Sequence, residues 1–336
     1  MNLPHIKDQS LSGQTVLVRA DLDLPAKDTS RLTSMFETLE FLLNAPAKII
    51  LIGHLGRPQG AYHPDLSLSS LSNTIHELSR QPVSFIPSLD FAQIKTALAI
   101  LPLSHIAMLE NLRFSPDEEG NDIGFAHQLA SLASFYCNEA FASSHRPHAS
   151  IVSIPKLLPH ATGFHFAKEV DNLSLVLKNP ARPLVFVLSG VKSDKLDYLP
   201  AFQKIADQIL IGGRLPELKN PESKDKTILA TLTSDKLDID QTTIGKFQNI
   251  LGTAKTIILC GPLGKFEDPL HEQGTKEIFQ TIASSQSFKI AGGGDTIAAI
   301  SKYQLQDKFN WISTGGGAML EFLAHGTLPG ISALLL

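Results

Sequence analysis

Short branched-apolar runs alternate with segments of helical periodicity along nearly the whole chain, a pattern that predicts parallel sheets wrapped by helices. The runs Thr15–Arg19, Lys48–Ile52, Val83–Ile86, Ile106–Leu109 and Ser134–Cys137 read as one set of strands. Between them, Met35, Leu39, Leu42 and Leu43 share a helical face, with Ser34 and Glu37 spaced as a capping box, and Leu68, Leu71, Ile75 and Leu78 form a second stripe. A helix carrying Phe166, Val170, Leu173 and Leu177 closes at Asn179-Pro180, after which the alternation starts afresh. The later strands are Pro183–Leu188, Gln208–Ile211, Thr227–Thr231, Thr256–Leu259 and the runs beginning at Phe288 and Phe309. The expected fold class is therefore α/β, with two Rossmann-like domains joined by a hinge helix. Residues 1–165, rejoined by a tail of about 320–336, make the first domain, and 166–319, connecting helix included, the second.

Two of the strands run into glycine loops. Phe288-Lys-Ile-Ala-Gly-Gly-Gly-Asp-Thr-Ile-Ala-Ala-Ile300 reads as strand, bare loop and helix, the helix beginning near Thr296. Such a loop lets backbone N–H groups and the positive end of a helix dipole approach a phosphate. Phe309–Ala318 repeats the arrangement, so the two loops are expected to line one cleft. Asp295 reads either as the helix N-cap or as a group facing the ligand.

In open parallel sheets ligands bind beyond the carboxyl ends of the strands, so the residues after each run are the ones to read. They are Asp21, Asp23 and Arg31 after the first, Gly53-His-Leu-Gly-Arg-Pro58 after the second, Glu110-Asn-Leu-Arg113 after the fourth and Asn138–His148 after the fifth. The chain has eight arginines, and Arg31, Arg57, Arg113 and Arg146 all fall at such positions in the first half. Guanidinium forks match carboxylate and phosphate oxygens, so this rim suits a small polyanion. His145 and His148 read as loop-structuring residues.

The second half offers the complement. Leu188–Lys195 places Lys192 and Lys195 at a strand-to-helix turn, and Cys260–Glu267 supplies a glycine turn and an acid. With the glycine loops these describe a nucleotide polyphosphate site. Two anion sites on separate domains imply phosphoryl transfer between their occupants.

Composition narrows the field. With 336 residues and 43% hydrophobic content the chain can fill two cores. A net charge of −4 argues against nucleic acid or an anionic membrane as partner. The two cysteines, Cys137 and Cys260, have no metal-ligand spacing and suggest no disulfide framework. No leader-like or membrane-spanning run is present, so a cytoplasmic protein is expected.

At this point the motifs carry a likeness. Val16–Pro25, His54–Pro58, Leu109–Phe114, Ala140–Ser150, Gly261–Glu267, Gly292–Thr296, Ser313–Ala318 and Leu328–Leu334, in that order, resemble phosphoglycerate kinase. The resemblance implies exchange of a phosphoryl group between 1,3-bisphosphoglycerate and ADP, giving 3-phosphoglycerate and ATP, with magnesium on the nucleotide, in a monomer. It places Asp21, Leu22, Asp23, Arg31, His54, Leu55, Gly56, Arg57, Arg113 and Arg146 around phosphoglycerate. Arg31, Lys192 and Gly294 would act on the migrating phosphoryl. Lys195, Glu267, Gly293, Gly294, Asp295 and Thr296 would hold the nucleotide, with Asp295 reaching the metal.

The sequence departs from the family in four places. Asp23 stands where the family has Asn. Lys192 and Lys195 are three apart instead of four, a spacing expected to keep them on one helix face. Leu259-Cys260-Gly261 replaces Trp-Asn-Gly. After Ile211-Gly-Gly-Arg-Leu-Pro216 several dozen residues that help enclose the adenine are missing, and Arg214 replaces a glycine. A non-catalytic binding protein on the same fold is the alternative reading. A nicotinamide-dependent dehydrogenase is disfavoured, because no Gly-x-Gly-x-x-Gly opens a helix after an early strand.

Overall fold

A computed structural model describes residues 1–23, 29–218 and 226–336. Leu24 and Pro25 of the first motif lie outside the described residues. The first sheet comprises β1 (Thr15–Arg19), β2 (Lys48–Ile52), β3 (Val83–Ile86), β4 (Ile106–Leu109), β5 (Phe135–Asn138) and β6 (His160–Thr162). The second comprises β7 (Leu184–Leu188), β8 (Gln208–Ile211), β9 (Thr227–Leu229), β10 (Thr256–Cys260), β11 (Phe288–Gly292) and β12 (Trp311–Ser313). Within each sheet all neighbouring strands run parallel. Helices on both faces explain why β2, β4, β7 and β10 are near-continuous apolar runs: both faces are buried, and alternation is lost.

The strand orders are β3-β4-β2-β1-β5-β6 and β12-β11-β10-β7-β8-β9. Chain progression reverses between β1 and β5 in the first sheet and between β7 and β10 in the second, and such switch points open a crevice at the carboxyl ends of the strands. Met1–Val170 with Thr327–Leu336 form one compact unit, and Asp171–Gly326 form the other. Each has its own core, around Val18, Leu39, Ile49 and Met108 in the first and around Val187, Phe247, Leu259 and Ile282 in the second.

The helix Phe164–Lys178 passes from one unit into the other. Its start is fixed from the first unit. Buried Glu139, just past β5, accepts hydrogen bonds from His165 N at 3.1 Å and Phe166 N at 2.9 Å, and Thr38 Oγ1 accepts from Phe164 N at 2.9 Å. These acceptors satisfy N–H groups that a first helical turn leaves bare. The C-terminal tail returns to the first unit, where Gly330 N donates to Ser144 O at 2.9 Å and a Cβ at Gly330 would meet Ser144 Oγ at 2.7 Å.

Two local expectations fail. Ser34 does not cap the helix Phe36–Asn44; its hydroxyl donates to Arg31 O at 2.8 Å and ends the short preceding helix Ser30–Ser34 instead. The helix after the first glycine loop starts at Gly294, two residues before Thr296, with Gly293 as its N-cap. Asp295 is therefore in the first turn and is not the cap.

Candidate active site

In the first unit β1 ends in Arg19, a fully buried guanidinium. Its Nη2 meets His54 Nδ1 at 2.8 Å and its Nε donates to Ser150 Oγ at 2.8 Å. Ser150 is held in turn by buried Glu118, which accepts from Ser150 N at 2.9 Å and from Ser150 Oγ at 2.5 Å. Sequence reasoning passed over Arg19, Glu118 and Ser150. The available signal was that β1 closes an apolar run with a cation at the strand's carboxyl end.

Asp21 and Asp23 follow. Arg31 Nη1 lies 3.5 Å from Asp21 Oδ1 and donates to Asp23 O at 2.6 Å, so Arg31 folds over the loop that follows β1. Burial pushes the Asp21 carboxyl up, opposed by Arg31 and Arg19. Asp23 Oδ1 accepts from Gly56 N at 2.9 Å, and Gly56 O accepts from Arg113 Nη1 at 2.7 Å. Gly56 sits at φ +66°, and a Cβ there would stand 2.7 Å from Leu66 Cδ2, so the relay through its backbone requires glycine. Asn111 fixes the same loop by donating to Leu55 O at 2.7 Å and Leu66 O at 2.9 Å. Leu22 is core, packed under Gly53, and only its backbone can face a ligand.

The electrostatics show how closely the cations gather. Burial first, then Arg19, Arg113, His148 and Arg146, hold the His54 imidazole well below its ordinary range. His148 is brought down to about 3 by burial and then by Arg113, Arg19 and Arg146. His145 falls to about 4, through burial and Arg146. Arg113 itself is lowered to about 10, chiefly by burial against the opposing pull of Glu119, whose Oε1 is 3.3 Å from Arg113 Nε. That Nε makes no hydrogen bond with a described residue, and neither do buried Asp21 Oδ2 and His148 Nδ1, the last lying 4.0 Å from Glu118 Oε1. Arg57, on the His54 loop, is exposed and forms no ion pair with a described residue. The structure thus brings Arg31, His54, Arg113 and Arg146 to one end of the first sheet, adds Arg19 and leaves Arg57 at the solvent side.

In the second unit the carboxyl ends of β7, β8, β10 and β11 surround a cavity of about 330 Å³ whose lining includes Gly190, Gly213, Leu263, Glu267 and Asp295. Backbones touch here. A Cβ on Gly213, at φ +58°, would meet Gly190 O at 2.6 Å, and one on Gly261, at φ +110°, would meet Ser189 O at 1.9 Å. A Cβ on Gly316 would lie 2.5 Å from Gly293 Cα, so the two glycine loops pack directly on each other. Buried Thr296 ties the first of these loops to the turn after β10: its Oγ1 accepts from Gly261 N at 2.7 Å and donates to Gly292 O at 2.8 Å.

Gly294, Asp295 and Glu267 are solvent-exposed, with the latter two on the cavity wall. The lysines divide. Lys192 is an exposed N-cap of the 3-10 helix Ser193–Tyr198, while Lys195 turns inward and donates from Nζ to Ser189 O at 2.6 Å and Cys260 O at 3.3 Å. The expectation of one shared helix face fails because Lys192 precedes the helix. Cys260 is buried and its thiol is pushed up, first by burial.

A sequence model described as phosphoglycerate kinase matches residues 6–218 and 217–326. The chain belongs to the phosphoglycerate kinase family. Phosphoglycerate kinase of Leptospira biflexa is 35% identical over 391 aligned positions, covering 100% of this chain and 99% of the relative. That of Finegoldia magna is 34% identical over 393 positions, covering 99% of each. Phosphoglycerate kinase from Pyrococcus horikoshii has a similar solved structure, with a TM-score of 0.85, 27% identity and coverage of 99% of this chain and 98% of that one. The Coxiella burnetii structure gives 0.82 and 26%, with 99% of each chain covered. Both alignments exceed the 336 residues of this chain, so those relatives carry segments it lacks. The family match breaks at residues 217–218, directly after Ile211–Pro216.

No described helix is long and apolar enough to cross a membrane, and no cluster of three or more metal-ligating side chains occurs among the described residues.

Proposed function

We propose that the chain is a phosphoglycerate kinase of reduced size, exchanging a phosphoryl group between 1,3-bisphosphoglycerate and ADP to give 3-phosphoglycerate and ATP. The observation that carries this reading is the set of arginines at the end of the first sheet, whose joint field helps keep His54 and His148 neutral. A polyanion relieves that crowding of positive charge. Arg113 and Arg146 bind the phosphoglycerate, His54 donates a neutral hydrogen bond, and Asp21 orients Arg31.

In the second unit Gly293 and Gly294 present backbone amides to the nucleotide phosphates, and Glu267 accepts from the ribose. Lys195 holds the Ser189 and Cys260 carbonyls and so shapes the loops around those phosphates. Asp295 fits magnesium, which commonly takes one or two carboxylates together with substrate phosphates: its carboxylate is exposed at the cavity and forms no ion pair with a described residue. When bound, the ion would offset charge on the nucleotide oxygens. Arg31 and Lys192 neutralise the oxygens of the migrating group, with the Gly294 amide beside them, and phosphoryl transfer asks little more of a protein than such positioning and charge stabilisation. Bending about the helix Phe164–Lys178 brings the reactants into line and excludes water.

Turnover of the purified full chain, coupled to consumption of the acyl phosphate formed from MgATP and 3-phosphoglycerate, tests this reading. A measurable rate is expected. Zero rate with retained thermal stabilisation by either ligand would favour the non-catalytic alternative.

A further inference from the structure

The wall of the second-unit cavity holds a guanidinium that the phosphoryl-transfer scheme leaves without a task, that of Arg214. It lines the cavity, is exposed, and its guanidinium makes no hydrogen bond or ion pair with a described residue. Its neighbour on the same wall, Lys236, is by contrast engaged, with Nζ 2.7 Å from Glu217 Oε1. The Arg214 backbone is fixed, since its N–H donates to Gly190 O at 2.9 Å and Gly213 leaves no room beside Gly190. The side chain therefore projects from an anchored point.

Sheet order says which part of a nucleotide this point serves. The glycine loop that would take the phosphates follows β11, and Arg214 follows β8, three strands away in the order β11-β10-β7-β8. At a strand spacing of about 4.8 Å these starting points are separated by about 14 Å. A nucleoside diphosphate anchored by its phosphates at Gly293–Asp295, with its ribose at Glu267, lays its base toward the β8–β9 end, where Leu232 and Leu237 supply apolar wall. Arg214 thus stands at the base.

A guanidinium carries donors only. Against the 6-amino edge of adenine it sets donor against donor, whereas the O6 and N7 acceptors of guanine accept both prongs of its fork. Resting on the reading of this cavity as the nucleoside pocket, we infer that Arg214 selects a 6-oxopurine base, so that the chain uses guanine nucleotides in preference to adenine nucleotides.

The test is equilibrium binding of GDP, IDP and ADP to the full chain, with kcat/KM for MgGTP and MgATP, in the unaltered protein and in Arg214→Gly and Arg214→Lys. GDP and IDP are expected to bind more tightly than ADP by about 5- to 150-fold, the discrimination that one bidentate arginine–guanine pair supplies. Arg214→Gly should abolish that ratio. Lysine, a point charge without the fork, should not restore it. A preference for ADP in the unaltered protein overturns the inference, as does a ratio unchanged by Arg214→Gly, or equal weakening of all three diphosphates that lysine repairs, the mark of a phosphate contact. Absence of turnover with any triphosphate while the Arg214-dependent GDP preference persists would sink the kinase reading and leave this one standing. Turnover with ATP preferred, and insensitive to Arg214, would do the reverse.

Discussion

On the proposed reading Asp23 puts a second carboxylate beside the phosphoglycerate, and replacing it with asparagine should improve the enzyme. The structure isolates the charge. Asp23 Oδ1 accepts from Gly56 N, which an asparagine oxygen can also do, and Arg31 binds the Asp23 main-chain oxygen, which the substitution leaves in place. His54, the nearest imidazole, lies 3.8 Å from Asp23 Oδ2 and is held neutral, so it offsets nothing. A substrate anion hydrogen-bonded to His54 would stand about 6 Å from that carboxylate, and the repulsion is then about 0.7 kcal/mol in a water-like medium and about 2.8 kcal/mol at an effective dielectric of about 20. The Asp23 side chain is 45% exposed, which places the cost near the lower figure. At about 1 kcal/mol, Asp23→Asn should raise kcat/KM for 3-phosphoglycerate about 5-fold. The assay is steady-state turnover at saturating nucleotide, at low salt and again at about 0.5 M salt, where screening should shrink the gain. A value of kcat/KM that is unchanged or lower, with folding stability intact, would refute the placement of Asp23 at the substrate.

Three further outcomes are expected. Thr296→Val keeps the shape of a buried side chain but strands the Gly261 N–H and Gly292 C=O, and should destabilise the second unit by about 2–3 kcal/mol in urea titrations while weakening nucleotide binding; a loss under 0.5 kcal/mol would count against the tie. Arg19→Met removes the partner of His54 and Ser150, and should raise KM for 3-phosphoglycerate more than it changes KM for nucleotide, with the NMR titration of His54 moving upward; a stationary titration would show that Arg19 does not govern this imidazole. Because His54, His145 and His148 are depressed in the folded chain, the unfolded state binds more protons at these three sites below about pH 6.5, so they should lower stability as pH drops from 7 toward 4, against the opposite contribution of His165 and His271, whose imidazoles are raised. His148→Gln should flatten that slope in denaturation curves, and an unaltered slope would exclude His148 as a contributor.

Strands were legible in the sequence wherever both faces are covered, because burial on two sides turns β2 or β7 into an uninterrupted apolar run. β6, three residues beginning with a histidine, gives no such signal and was missed. Of the site, residues at strand ends were readable from position and charge. What escaped was support across sequence distance: Glu118 reaching Ser150, Glu139 reaching the helix at Phe164, and Arg19 hidden at the close of an apolar strand. Ser34 and Glu37 misled because local spacing permits a box that the hydrogen bond from Ser34 to Arg31 pre-empts. Lys195 likewise carries the charge expected of a phosphate ligand but spends it on two carbonyls.

Glu139 occupies a junction between two tasks. It follows directly on the strand that opens into the segment bearing His145, Arg146 and His148, and it grips the first turn of the helix that runs out of the first unit. The first turn of that helix and the segment bearing Arg146 are therefore tied to one residue, and under the proposed reading a ligand held by Arg146 would be felt at the start of the helix.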